Sequence, residues 1–174
     1  MEVNIQTIST LHHLLDYDAG KFTSAEFQLK NSLPGWINNA GSLKLKVVLQ
    51  KYVDFVEKHL QNMEAFFENE NISTLPFSNR IMQAFIEEAD EKQKTCTETQ
   101  LRDACLLACV QAINHFKISM YGTAAAFAKA LGMEKQAAIF HEAEVSEKQI
   151  DDRLSQLAEF EININAKTII SIAQ

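Results

Sequence analysis

Lys117 lies in the middle of the most apolar stretch of the sequence, and this combination strongly constrains the fold. No acidic residue occurs from Ala104 to Met133, and apolar side chains there fall on nearly every face of a helix. Such a pattern is typical of a helix buried inside a bundle. A buried ammonium costs on the order of several kcal/mol unless it is paired or loses its proton. We therefore expect another segment to supply an acidic partner for Lys117.

The composition favours one helical domain. A length of 174 residues suits a single domain, 1–174, with a substantial core. Hydrophobic residues make up 47% of the chain, whereas Gly and Pro number only five and two, so long helices are expected. We predict an all-α antiparallel bundle.

Apolar spacing and turn residues divide the chain into helices. We predict a short helix over about 5–15, a turn over 16–21, and helices over about 22–39, 43–68, 78–92, 100–131 and 134–161. Pro34-Gly35 marks a kink or weak point, and 69–76 is expected to be a loop. The bundle then spans about 22–160 and is followed by a polar C-terminal tail.

Several classes of protein are disfavoured. A net charge of -7 argues against a nucleic-acid surface, which needs a basic stripe. Asn114, His115 and Lys117 interrupt the best candidate for a membrane span. The N-terminus has an early Glu and no basic region, unlike a secretion signal. We expect a cytoplasmic protein that binds neither nucleic acid nor membrane.

The three cysteines form no disulfide framework. Cys105 and Cys109 are one helical turn apart, as a metal or redox pair would be, but two small buried side chains give the same spacing and are the favoured interpretation. Cys96 falls in a predicted break between helices and receives no role.

Polar residues interrupt the apolar line of each long helix. These are Glu26 in the first, His59 in the second, Asn114 and Lys117 in the apolar helix and Glu147 in the last. One such residue is unremarkable, but four antiparallel helices would bring all five into one interior layer. We therefore predict an interior polar cluster.

Helical bundles place dinuclear metal sites at this position, using a Glu from each of two helices and a Glu-x-x-His pair from each of the others. The chain supplies Glu26, His59 and Glu147. Three residues before His59, however, where the Glu-x-x-His pair needs a Glu, the chain has Val56. Lys117 would repel a metal. The simplest interpretation is that Lys117 pairs with Glu26 and Glu147 in place of a metal, although it could also reach solvent or serve as a catalytic lysine. Tyr121 could be a redox-active neighbour of a metal or a core residue with a satisfied hydroxyl, and we favour the second.

Four segments also carry a family resemblance: SAEFQLKNSLP at 24–34, LRDACLLACVQAINHFKISMYGT at 101–123, ALG at 130–132 and EKQIDDRLSQLA at 147–158. Over about 22–160 the chain resembles the YciF-type ferritin-like proteins, bacterial stress-associated helical bundles of uncertain activity. The resemblance implies a ferritin-like antiparallel four-helix bundle with one or two additional short helices, and a homodimer.

The resemblance further implies a dinuclear iron or manganese site, but the match at that site is incomplete. The family pattern agrees with this chain at Glu26, Glu142, Glu147 and Asp151. The chain differs from the family pattern at Tyr52, Val56 and His59, where the family has His, Thr and Gln. It also differs at Asn114 and Lys117, where the family has two glutamates.

We therefore expect a degenerate site without a metal cofactor and a non-catalytic, stress-associated role. Its members are Glu26, Tyr52, His59, Asn114, Lys117, Tyr121, Glu147 and Asp151. The alternative is an iron- or manganese-dependent oxidoreductase, or a peroxide- or iron-handling protein, with ligands among Glu26, His59, Glu142, Glu147 and Asp151. A third possibility is a binding module whose acidic helix surfaces dock a basic protein partner.

Overall fold

A computed structural model describes residues 7–70 and 78–168. Within these ranges the chain is helical and forms no strand. The helices are α1 (Leu11–Asn39), α2 (Leu43–Asn69), α3 (Arg80–Thr95), α4 (Thr99–Ala130), α5 (Glu134–Leu157) and α6 (Asn163–Thr168), with a π-helical turn (Ala158–Ile162) between the last two. The predicted all-α bundle is confirmed.

Four long helices, α1, α2, α4 and α5, enclose the core. Helix α1 packs on α2 and α4, and α5 packs on the same two helices. The connections α1–α2 and α4–α5 are three residues long, which makes each pair antiparallel. The pair α2 and α5 is also antiparallel, because Tyr52 contacts Glu147 whereas Lys58, later in α2, contacts Glu142, earlier in α5. The pair α1 and α4 is antiparallel as well. Phe22 near the start of α1 contacts Tyr121 near the end of α4, and Gly41 just after α1 contacts Asp103 near the start of α4.

Helix α3 connects the two halves and packs on the outside of α1 and α4. Its start is held to α1 by a hydrogen bond from Asn79 Nδ2 to the Lys21 carbonyl, 3.1 Å. Near its end, Trp36 Nε1 donates to Asp90 Oδ1 over 2.7 Å. The chain therefore returns along the bundle before α4 begins, so α3 forms a long crossover between α2 and α4.

The predicted turn over 16–21 is wrong, because α1 is continuous from Leu11 to Asn39. Leu15, Ala19 and Phe22 are all buried and extend one apolar stripe through this segment. Burial of that stripe outweighs the local turn preference of the Asp- and Gly-containing sequence. The helix also continues through Pro34. Residues 5 and 6 of the predicted first helix lie outside the described residues.

The remaining helix ends differ modestly from expectation. Helix α2 reaches Asn69, and most of the predicted loop over 69–76 lies outside the described residues. The chain remains helical to Thr168, with Ile162 and Ala166 buried, so this part is not the polar tail that was predicted. Residues 169–174 lie outside the described part.

A tight junction fixes one end of the bundle. The Asp103 carboxylate accepts hydrogen bonds from the Gly41 and Ser42 backbone amides, both 2.8 Å. A Cβ on Gly41 would overlap Thr99 Cγ2. The start of α4 therefore packs directly against the α1–α2 connection.

No helix in the described part of the chain combines the length and the apolar character that crossing a bilayer requires.

Candidate ion cluster in the bundle core

The bundle core contains a layer of charged and polar side chains. Glu26 of α1, His59 of α2, Lys117 of α4 and Glu147 of α5 are each at most 1% exposed, and Asn114 lies one turn before Lys117. These positions fall on the apolar seams, so packing of the four helices buries them together. Each helix thus contributes at least one side chain to the layer.

Lys117 lies between the two carboxylates. Its Nζ is 2.9 Å from Glu26 Oε2 and 2.6 Å from Glu147 Oε1. The atoms meet ion-pair distances but not the angular geometry of hydrogen bonds, so the attraction is mainly Coulombic. The ammonium also lies 4.6 Å from the centre of the Tyr52 ring, a favourable cation–π position.

The second oxygen of Glu147 is held by two neutral donors. The Tyr52 hydroxyl donates to Oε2 over 2.6 Å. Asn114 Nδ2 donates to the same oxygen over 2.7 Å and to the Glu147 carbonyl over 3.0 Å. Residues of α2 and α4 therefore orient this carboxylate of α5.

Glu26 has a comparable set of partners. Its Oε1 accepts a hydrogen bond from the Tyr121 hydroxyl and lies 3.1 Å from His59 Nδ1. The same nitrogen is 3.4 Å from Glu147 Oε1, so His59 bridges the two acids. The His59 and Tyr121 rings pack with centroids 5.1 Å apart. The Tyr121 hydroxyl is therefore satisfied, as favoured from the sequence.

Electrostatics keep Glu26 and Lys117 charged. Burial alone would raise the pKa of Glu26, but the Lys117 ammonium and the hydrogen bonds from His59 and Tyr121 lower it to about 2. Burial would lower the pKa of Lys117, yet Glu147 and Glu26 outweigh it and raise that pKa above its ordinary value. Burial, together with the nearby carboxylates, raises the pKa of Tyr52 and Tyr121 well above the usual range. At neutral pH the ammonium and Glu26 are ionised, and both tyrosines are neutral donors.

Two polar atoms of the cluster have neither a hydrogen-bond partner nor an ion-pair partner in the described part of the chain. They are His59 Nε2 and Asn114 Oδ1. In their ionised forms, two carboxylates and one ammonium sum to one negative charge. A cation could balance the same charge, and Glu26, His59 and Glu147 offer one ligand atom each within 4.8 Å of one another.

Two of the predicted site residues lie elsewhere. Asp151 accepts from His115 Nε2 over 2.8 Å at the surface. Glu142, a member of the alternative ligand set, is exposed and paired with Lys58. Each lies one turn or more along α5 from Glu147, but on faces that packing does not direct into the core. The other seven members of the predicted cluster come together.

A smaller polar group at one end of α1 was not predicted. His12 Nδ1 lies 3.1 Å from Asp16 Oδ2, and its Nε2 lies 3.5 Å from Oε2 of Glu70, the residue that follows α2. The spacing of four residues between His12 and Asp16 was a usable local signal. The contact with Glu70 depends on how α1 and α2 pack.

The cysteines are free thiols of intermediate burial. Burial, with Cys109 and Cys96 as neighbours, raises the pKa of Cys105 to about 12. Since the thiolate is the reactive form, this thiol is poorly suited to redox chemistry at neutral pH.

Comparison with known proteins identifies the family. A family described as a domain of unknown function (DUF892) matches residues 10–167. The chain belongs to this family. This DUF892 protein is 29% identical over 167 residues to Protein YciF of Escherichia coli (strain K12), and the alignment covers 95% of the chain and 98% of the relative. The predicted YciF-type relationship is confirmed.

Solved structures show the same fold. The crystal structure of the E. coli stress protein YciF superimposes with a TM-score of 0.85 at 27% identity, covering 90% of the DUF892 chain and 99% of YciF. YcfI from Rhodopseudomonas palustris gives a TM-score of 0.83 at 24% identity, covering 87% and 96%.

The residues present do not fit the dinuclear metal centre that the resemblance implied. By the resemblance, Asn114 and Lys117 stand where the family pattern has two glutamates, and neither side chain is an anionic ligand. Lys117 contacts Glu26 Oε2 and Glu147 Oε1, and these two carboxylates would be needed to hold a metal. An ammonium at this position repels a divalent cation and already offsets acidic charge. Of the three residues that offer a ligand atom, Glu26 and Glu147 are already paired with Lys117.

Proposed function

We propose that this protein is a non-catalytic, stress-associated helical bundle in which the Lys117 ion cluster takes the place of a dinuclear metal centre. The observation that carries the proposal is the position of Lys117 Nζ, which is 2.9 Å from Glu26 and 2.6 Å from Glu147. A fixed internal cation orders the two acids without a cofactor. The cluster would then specify how the four helices pack, a role attested for some buried polar groups.

The state of the polar groups supports a structural role. A catalytic lysine needs an unprotonated amine, but the neighbouring carboxylates raise the pKa of Lys117. The Tyr52 and Tyr121 hydroxyls are committed to Glu147 and Glu26. Full burial further separates the charged groups from solvent and from any dissolved substrate.

The relationship to E. coli YciF supports the stress-associated part of the proposal. The match extends over nearly the whole length of both chains, and YciF is described as a stress protein. The shared property would therefore reside in the bundle and its surfaces rather than in the core acids.

Complementation tests this function directly. A host lacking the gene would be exposed to osmotic, oxidative and starvation stress, and any phenotype would be complemented with wild-type protein. The triple variant Lys117→Met/Glu26→Gln/Glu147→Gln keeps the approximate shape of the cluster but removes its charges. We expect it to complement fully when its abundance matches that of the wild type. Loss of complementation at equal abundance and stability would contradict a structural role.

The second candidate function is a metal-dependent oxidoreductase with a mononuclear centre. It is favoured by the three ligand atoms within 4.8 Å and by the unpartnered His59 Nε2. The test is elemental analysis of gently purified protein, with ferroxidase and peroxide turnover measured alongside. We expect well below one iron, manganese or zinc per chain and no turnover. Stoichiometric metal and turnover, both abolished by Glu147→Gln and retained by the exposed control Glu142→Gln, would establish the enzyme.

We also propose that the protein is a cytoplasmic homodimer. The exposed side chains of Leu43, Val47 and Phe160 support association, since large apolar groups in solvent favour burial. The segments that carry them are adjacent, because Ser42 donates to Glu161. Light scattering should give a dimer mass that Val47→Asp/Phe160→Asp reduces to a monomer, whereas Phe27→Asp on α1 leaves it unchanged. A wild-type monomer would refute the dimer.

A further inference from the structure

A cavity of about 440 Å³ lies outside the ion cluster, in the groove between α1 and α4 beside the first turn of α3. Helix α3 covers this α1–α4 groove from Asn79 onward, where Asn79 is bonded to Lys21. Beyond Asn79, toward the start of α1 and the end of α4, the cavity is bordered by Tyr17 and Thr123. The cavity thus arises where the crossover helix begins to cover the bundle. Its volume falls within the usual range for small-molecule sites, about 300–1,000 Å³.

The inner wall of the groove is apolar and rigid. Phe22 and Met120 are 5% and 8% exposed, and Phe116 packs against Phe85 of α3 with centroids 5.7 Å apart. Phe22 in turn packs edge-on against Tyr121 at 5.9 Å. These rings are held in place by the core, so a ligand would meet a preformed surface.

The rim of the groove carries an excess of positive charge. Lys21 and Arg80 contribute two positive charges, and Asp18 contributes one negative charge. Lys21 also donates a hydrogen bond to the Ser78 carbonyl over 2.7 Å. Arg80 is exposed and has no hydrogen-bond or ion-pair partner among the described residues. A net positive site is notable on a chain whose total charge is -7.

We propose that this groove binds an amphipathic organic anion, with its aromatic or aliphatic body against Phe22, Phe116 and Met120 and its acidic group at Arg80. The apolar wall supplies affinity through burial. The unpartnered guanidinium supplies charge-assisted hydrogen bonds to a carboxylate or sulfonate. The proposal is independent of the ion cluster, because none of the polar members of the cluster lines the groove.

Asp18 shapes the selectivity of the site. Its carboxyl group has no hydrogen-bond or ion-pair partner in the described part of the chain, and burial raises its pKa. A partly buried carboxylate without a partner gains from a ligand N–H or O–H donor. Its negative charge disfavours a second acidic group. The preferred ligand therefore has one acidic group and, nearby, a hydrogen-bond donor.

The probe for the test is 1-anilinonaphthalene-8-sulfonate, which combines an aromatic body, one sulfonate and an N–H group. Binding is followed by fluorescence on the intact protein under native conditions, with octanoate as an aliphatic competitor. N-phenyl-1-naphthylamine, the neutral analogue, reports the contribution of charge. We expect saturable binding of the anion near one site per chain, displacement by octanoate, and clearly weaker binding of the neutral probe.

Charge variants assign that binding to the groove. Arg80→Glu should weaken binding of the anion about tenfold, and Asp18→Asn should tighten it about two- to fivefold, as expected for partly exposed charges. The control Arg153→Glu changes an exposed arginine of α5 and makes the same change in net charge, so it should leave binding within about twofold. Arg80→Glu should not alter binding of the neutral probe, which has no acidic group.

A variant that fills the groove provides a separate readout. Ser119→Trp places a large ring at an exposed position of α4 that borders the cavity, and should reduce binding of both probes at least tenfold, while Gln156→Trp on α5 should not. Far-UV circular dichroism verifies that each variant is folded. Equal weakening by Arg80→Glu and Arg153→Glu, equal affinity for both probes, or undiminished binding to Ser119→Trp would overturn the proposal.

Discussion

The ammonium nitrogen of Lys117 lies 2.6 Å from Oε1 of Glu147, and this contact joins the two helices α4 and α5 at the centre of the bundle. The opposite oxygen of the same carboxylate accepts from Tyr52 of α2. The ammonium in turn reaches Glu26 of α1. One lysine thus links the acids of two diagonally opposed helices, α1 and α5, and any change to it should affect the whole layer.

Replacement of Lys117 should strongly destabilise the fold. Lys117→Met leaves Glu26 and Glu147 buried without their cation, and breaking a buried pair from one side costs about 3–5 kcal/mol. The triple variant with Glu26→Gln and Glu147→Gln should recover much of this loss, because neutral amides avoid the uncompensated charge. Chemical denaturation of the three proteins measures the effect.

A matched control shows whether the loss of stability comes from the buried charge of Lys117 or from replacing any lysine of α4 by Met. Lys129 lies on the same helix α4 and is exposed, so Lys129→Met should change stability by less than about 0.5 kcal/mol. An unchanged melting temperature for Lys117→Met would show that the lysine is not a buried ion-pair partner.

Acid should weaken the contribution of Glu26. Its folded-state pKa is about 2, below its ordinary value of 4.5, so the unfolded state binds more protons between these limits. The stabilisation is fully present above about pH 4.5 and is lost as the pH falls through about 2. The difference in unfolding free energy between wild type and Glu26→Gln should therefore shrink by about 3 kcal/mol from pH 6 to pH 2.

The control for this measurement is Glu142→Gln. Glu142 is exposed, and its hydrogen bond and attraction to Lys58 lower its pKa in a solvent-screened environment. Its substitution should produce a much smaller pH-dependent change. A difference between wild type and Glu26→Gln that stays constant from pH 6 to pH 2 would mean that Glu26 is not ionised in the core.

A charge reversal at the centre of the cluster should create a metal site. Lys117→Glu removes the internal cation and adds a carboxylate beside Glu26, His59 and Glu147, giving four N and O ligands that suit zinc, manganese or iron. We expect the apo variant to be unstable and to gain stability when Mn²⁺ or Zn²⁺ is added, with about one ion bound per chain by elemental analysis. The wild type should show no such gain, and a comparable metal-induced shift in wild type would instead support the metalloenzyme.

The junction at Gly41 should tolerate no side chain. A Cβ there would overlap Thr99 Cγ2 and lie 3.2 Å from Asp103 Oδ2, whose carboxylate accepts from the Gly41 and Ser42 amides. Gly41→Ala should therefore destabilise the protein by about 1–3 kcal/mol, a typical cost of overpacking. Thermal and chemical unfolding provide the measurement.

Two further variants test whether overlap with the Thr99 methyl group causes the expected destabilisation of Gly41→Ala. Gly35 is helical, and a Cβ at this position would meet no neighbouring side chain within 4 Å, so Gly35→Ala should stabilise the protein by about 0.5–1 kcal/mol. Thr99→Ser removes the overlapping methyl group and should restore most of the stability of Gly41→Ala. Failure of this rescue would place the cost outside the Thr99 contact.

The sequence by itself determined the helices and their inner faces. Apolar spacing of three and four residues is a local property, so it placed Glu26, His59, Asn114, Lys117 and Glu147 on the seams without knowledge of the partners. Where local and long-range effects disagreed, the local prediction failed: the 16–21 turn is helical because Leu15 and Ala19 are buried against the rest of the bundle.

The tertiary structure alone decided which seam residues meet and which do not. Glu142 and Asp151 lie close to Glu147 in the sequence, yet one pairs with Lys58 and the other with His115 at the surface. The groove beside Arg80 likewise depends on where α3 begins to cover α1 and α4. Side-chain direction at a seam edge depends on helix rotation and on neighbours distant in the chain, and a local pattern does not contain that information.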